Sequence, residues 1–443
     1  MASAAGPKAL LDVASAVGGS RADVAVTSAV AALKAGVAPL EVLRAAVRAY
    51  ALHYDVSDPV PPHGLVVGAA VANLLDALPA PTRRITALRA VALLAGDKKS
   101  LAPVRAPLAL SGEVSHLGRS FLFAARDGDL PQAESVLLGI VDERRERRMA
   151  GDILFRAAVE DMADGGHKLL VAVKSWQLAR ALGFRDARVV MRPAVQYLVA
   201  GPRDSSAYKG ILAVLGRERV DLEALATGGR ALDDAGRARL SAALANQEAD
   251  ARVLGILDAL RDGFAPTAVA DALSTEAAGR LVRAKPDDRD PVLALAFVHA
   301  ARFVLTFSRT PDRLYALFQA GLRVHAPSPP PPLPPTRDED AEAEALRSIL
   351  SDVDGSRPDD AASRTGAYQR RGFSAAKLRE SLLTRAVEQP AGPAVRRALV
   401  LADITTSEAT TGAHEPLMSL ARVLAASPKD SSLARGWAWA LDA

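Results

Sequence analysis

The chain reads as an all-α protein, a multi-helical array of degenerate helix-pair repeats. Three observations predict this. Hydrophobic residues make up 49% of the 443 residues but aromatics only 4%. Ala, Leu and Val must therefore build the core, and Ala and Leu are the strongest helix formers. Apolar positions recur three and four apart over long windows, and no run of alternating strands interrupts them. Finally, Gly and Pro punctuate the chain at helix-like intervals, with one arrangement recurring.

Taken in order, residues 40–54 place Leu40, Leu43, Val47 and Ala51 on one helical face, and a helix over 63–78 follows Pro61-Pro62. Further helices are predicted over 165–183, 253–260, 291–307 and 314–324. The recurring element is ALKAGVAP at 32–39, matched by ALRDGFAP at 259–266, by AARDGDLP at 124–131 and more weakly by RGFSAA at 371–376. Each reads as a helix end, a Gly stop and the start of the next helix. Glycine suits the left-handed residue after a helix and proline suits the first turn. Each Gly is read as followed by one helix and then by a second bearing a histidine: His63, His167, His299 and His414. The intervals are uneven, so the repeat is degenerate.

APSPPPPLPP at 326–335 is the clearest break. Its prolines favour an extended polyproline conformation, and acidic Asp338-Glu339-Asp340 follows. The organisation predicted is a main helical domain over 1–326, a Pro-rich and acidic linker over 327–340, and a C-terminal helical segment over 341–443 that packs on the main domain. A docking motif for a proline-recognition domain is the sharper reading of the linker.

Composition excludes several classes. With 55 basic and 51 acidic residues the net charge is +4, too balanced to point to nucleic acid. The run ERRERR at 143–148 carries its own acids and reads as a solvated helix face. The absence of cysteine removes disulfides, thiolate zinc sites, cysteine-ligated iron–sulfur clusters and a cysteine nucleophile. The N-terminus lacks the apolar core of a signal peptide, and no window holds 18 uninterrupted apolar residues. The expectation is a cytoplasmic protein with neither a nucleic-acid nor a membrane partner.

Candidate chemistry centres on GGHKLLVAVKSWQLARALG at 165–183. His167, Val171, Lys174 and Leu178 share a face, and Leu169, Ala172, Val173, Trp176 and Ala179 cover the adjoining one. Lys168, Ser175, Gln177 and Arg180 read as solvent-facing. A helix this apolar is buried, and a buried lysine needs a partner or loses its proton. Glu160, Asp161 and Asp164 lie just upstream. On one reading Asp164 caps the helix and Lys174 snorkels to the surface. On the other, His167, Lys174 and a carboxylate build a polar pocket.

The helix opening at His63 is similar in shape, and Gly68, Ala69 and Ala70 allow close helix approach. His53 and Asp55 lie nearby but share no local metal motif with it. A metal would need histidines from different repeats, and imidazole with carboxylate suits iron, zinc or manganese equally. His116 is a weaker candidate, and His299 reads as a hydrogen-bonded core residue. Neither HExxH, a Walker loop, GxGxxG after a strand nor GxSxG is present. Asp287-Asp288 reads as a solvated turn, and Trp437 and Trp439 as packing residues.

The segment 165–183 with RVVMRPAVQYL at 188–198, PPHGLVVGAAVANLL from Pro61 and TGAHEPLMSLARVLAASP from Thr411 together resemble a group of bacterial helical proteins. These have a GHK helix and further histidine-led helices, and are similar to questin-oxidase-type proteins. The resemblance covers most of the chain, with the proline stretch inserted. It implies interior polar residues, carried here by His63, His167 and His414, but no settled reaction. The chain departs from the pattern in DPVLALAFVHAARFVL, where a histidine is expected near Leu293 and His299 stands instead. An asparagine expected on the GHK helix is replaced at Lys174.

Two classes of function follow. One is a small-molecule or metal-dependent enzyme, an oxidoreductase among the candidates. Its catalytic residues would be His167 and Lys174, and His63, His167 and His414 would hold a divalent metal. The other is a non-catalytic helical-repeat scaffold for protein–protein interaction.

Overall fold

The structure is a computed structural model that describes residues 5–57, 59–97, 99–100, 102–142, 147–285, 288–325, 333–336, 339–388, 392–407, 414–428 and 432–442. Residues 326–332 and 337–338, on which most of the proline-segment reading falls, and 143–146 of the basic run lie outside them, as does Asp287. Among the described residues the regular structure is helical, and extended pairing is confined to one parallel bridge between Arg230 and Phe264. The fold class is all-α.

The chain folds into two compact units. The first combines Met1–Pro107, Lys174–Gln196 and Leu333–Ala443; the second combines Leu108–Val173 and Tyr197–Pro332. This division differs from one at the proline segment, and hydrophobic burial explains why. Helix His63–Leu74 is apolar all round, with Gly64 to Ala72 buried, so it needs cover on every side. The C-terminal helix Pro393–Ser407 supplies one of those covers. Helices Ala375–Glu388 and Ser432–Asp442 likewise pack on Ala80–Gly96. Close approach is needed at Gly68, where an added Cβ would lie 3.0 Å from Val47 and 3.2 Å from Leu178. Of the two C-terminal tryptophans, Trp437 stacks under the guanidinium of buried Arg89, but Trp439 is 74% exposed and packs on little.

In the second unit the core helix is Asp290–Phe307, packed by Pro266–Arg283 and Leu314–Arg323. It is the one described helix long and apolar enough to cross a membrane, and 67% of it is buried within the protein. His299 lies inside it, buried.

The four recurring Gly stops share one local device. Gly36, Gly128, Gly263 and Gly372 have φ of 84°, 82°, 83° and 73°. After each, the next amide reaches back five residues: Val37 to Ala32, Asp129 to Ala124, Phe264 to Ala259 and Phe373 to Tyr368. This is the six-to-one closure of a helix C-terminus, which uses carbonyls the helix leaves unpaired. Pro39 and Pro266 then open the next helices. The histidine order is less regular than the sequence suggests. His63 and His299 fall in the second helix after their Gly, but helix Arg147–Ala158 intervenes before His167, and Pro393–Ser407 before His414.

Candidate functional site

Helix His167–Ala181 is more deeply buried than its pattern suggests. Lys168, Ser175 and Gln177 are buried along with the apolar residues, and Arg180 is the exposed one of the four read as solvent-facing. The two lysines meet this burial differently, and neither snorkels.

Lys174 lies in the first unit with a side chain that is 0% exposed. Its Nζ donates to Oδ2 of Asp403 at 2.5 Å, and that carboxylate is also 0% exposed. The other oxygen, Oδ1, accepts from Asn73 Nδ2 at 3.0 Å. Three helices far apart in sequence are thus joined by one carboxylate: His63–Leu74, His167–Ala181 and Pro393–Ser407. The partner of Lys174 is not Glu160, Asp161 or Asp164. Those residues precede the same helix and are engaged elsewhere, Glu160 with Arg126 and Arg156. The clue in the sequence was an acid inside the apolar run of residues 398–404, ALVLADI, and an amide inside AVANLL.

The start of the helix belongs to the second unit. Asp164, Gly165 and Gly166 take successive left-handed conformations, with φ of 51°, 69° and 90°. An added Cβ on Gly166 would lie 2.4 Å from the Phe297 ring, and one on Gly165 would lie 2.8 Å from Leu293. Only glycine fits between this turn and the core helix. Asp164 tolerates the left-handed region as aspartates can. Its side-chain Oδ2 accepts from the Tyr197 hydroxyl at 2.6 Å.

His167 Nδ1 lies within hydrogen-bond distance of the Asp164 backbone carbonyl. A carbonyl can only accept, so Nδ1 carries the proton, and in the neutral ring Nε2 holds the lone pair. Burial pushes the His167 pKa below its ordinary value; the Asp164 carbonyl and charge oppose this, and Arg323 adds to it. The neutral ring is therefore the resting form at pH 7. Beside it Lys168 donates to Asp161 Oδ2 at 2.6 Å. Burial lowers the Lys168 pKa, and Asp161 opposes the shift. Asp161 Oδ1 also accepts from the amides of Ala163 and Asp204, which ties the turn to a neighbouring loop. Tyr197 and Lys168 were not singled out by sequence.

His63 is half-buried at the start of its helix, and His414 is exposed at the start of Glu415–Ala426. His53 pairs through Nδ1 with the Ser100 carbonyl at 3.0 Å. His116 is exposed beside Glu113. Among the described residues no three histidine, aspartate or glutamate side chains gather so as to hold a metal ion. No family model matches this chain, and no curated protein and no solved structure is significantly similar to it.

Proposed function

We propose that this protein is a non-catalytic helical scaffold that works by binding another protein. The observation that carries this reading is the Lys174–Asp403–Asn73 clasp. The lysine with the strongest claim to chemistry spends its charge in the dry interior, holding three helices in register. Lys168 is used in the same way, against Asp161. A catalytic lysine needs access to a reacting atom, whereas a register-setting ion pair needs burial and a fixed partner.

A second reading, a small-molecule enzyme of the kind the GHK resemblance suggests, is favoured by His167. A neutral imidazole with its lone pair on Nε2, set at a strained turn, has the form of a general base.

Native mass spectrometry of the purified chain, with metal analysis alongside, separates the two. The scaffold reading expects the mass of the bare chain and no stoichiometric metal. A bound small molecule or metal that is lost in His167→Ala would overturn it and favour the enzyme.

A further inference from the structure

The acidic end of the segment that follows the prolines is docked, residue by residue, on a basic face of the first unit. Glu339 Oε1 accepts from Arg364 Nη1 at 2.9 Å. Asp340 Oδ1 accepts from Arg371 Nη2 at 3.0 Å. Glu342 Oε2 accepts from Lys377 Nζ at 2.6 Å, and its Oε1 accepts from the Ser374 amide at 2.8 Å and the Tyr368 hydroxyl at 3.1 Å. Three carboxylates within four residues thus meet three cations carried by helix Pro358–Arg370, the turn after it and helix Ala375–Glu388. A small pocket lies beside Glu339, Arg364 and Arg371, with Ala345, Ala367 and the edge-to-face pair Tyr368–Phe373 in its walls.

The fit in cis is tight at Glu342 but loose at Asp340. Asp340 is 98% exposed and Arg371 41%, so that pair is solvated and exchangeable. Glu339 turns one oxygen to Arg364, and its buried Oε2 has no hydrogen-bond donor among the described residues. Basic side chains spaced along a groove are a recurrent means of reading acidic peptides, through charge-assisted and bidentate hydrogen bonds.

We propose that Arg364, Arg371 and Lys377 form a docking site for an acidic linear peptide of a partner protein, and that the chain's own Glu339, Asp340 and Glu342 occupy it as a tethered competitor. The inference rests on the scaffold reading and names its partner class. A tethered competitor acts at an effective concentration on the order of millimolar, so the site is closed to weak ligands until the strap is released.

The test uses the full chain and a fluorescent peptide of its own residues 333–345, read by polarisation at low salt. Glu339→Gln with Asp340→Asn should open the site and tighten peptide binding at least about tenfold over the parent chain. Adding Arg371→Gln, an exposed change, should remove the gain, and a peptide with its acids replaced by amides should not bind. A smaller gain, or one that survives Arg371→Gln, overturns the proposal. Circular dichroism of each variant separates lost binding from lost fold. A negative result leaves the native-mass test of the scaffold reading untouched, so the two failures are distinct.

Discussion

The clasp gives the sharpest prediction. Replacing Lys174 by Met keeps the length and apolar stem but strips the cation from Asp403. That carboxylate is then 0% exposed and keeps one side-chain donor, Asn73. Breaking a buried pair from one side costs about 3–5 kcal/mol, because the remaining charge is left in the dry interior with no opposite charge. At about 2–4 °C per kcal/mol for a domain of roughly 150–250 residues, Tm should fall by about 6–20 °C. Lys174→Met with Asp403→Leu removes both charges and the orphan together. Asn73 loses one acceptor, worth about 1 kcal/mol, but the desolvation cost of two ions is also gone. The double variant should therefore recover most of the loss. Differential scanning calorimetry on parent, both single variants and the double variant completes the cycle. A double variant no more stable than Lys174→Met, or a single variant within about 1 kcal/mol of the parent, would refute the argument that the pair acts as a unit.

Other predictions are more local. Gly166→Ala puts a Cβ 2.4 Å from Phe297 at φ 90° and should cost about 2–5 kcal/mol by urea denaturation, from strain and overpacking together. Gly36→Ala, at φ 84° with open space around it, should cost only about 1–2 kcal/mol, and equal costs at the two sites would disprove the packing argument. His167 has a folded pKa below its unfolded value of 6.5, so the unfolded chain takes up the proton first. Stability should fall as pH drops from 6.5 towards the lowered folded value, and His167→Gln should flatten that stretch of the curve. Burial pushes Lys99 down to about 8 although its Nζ donates to the carbonyls of Leu94, Ala95 and Asp97. Between pH 8 and 10.5 the unfolded chain holds the extra proton. Stability should rise with pH there in the parent relative to Lys99→Met.

The sequence by itself determined what is local. Aliphatic periodicity and helix-forming composition dictated an all-α chain, because each helix satisfies its own backbone and declares its buried face every three or four residues. The Gly stops at 36, 128, 263 and 372 were legible for the same reason: a left-handed residue after a helix is a one-residue requirement. The burial of the helix that carries Lys174 was legible too, since apolar residues cover most of its circumference, although snorkelling of Lys174 itself stayed open. The partner of Lys174 was not legible. Asp403 lies 229 residues away, and sequence spacing carries no information about which of many acids closes a buried pair once the chain has folded. The nearer acids were the natural guess, yet the turn at 163–166 sends Asp164 to Tyr197 and Asp161 to Lys168. The division into two discontinuous units was likewise decided in three dimensions. A helix that is apolar all round must be covered on all sides, and for His63–Leu74 one cover comes from the far end of the chain, beyond the proline segment that looks like a boundary. Local patterns set which surfaces must be buried; only the tertiary structure chose what buries them.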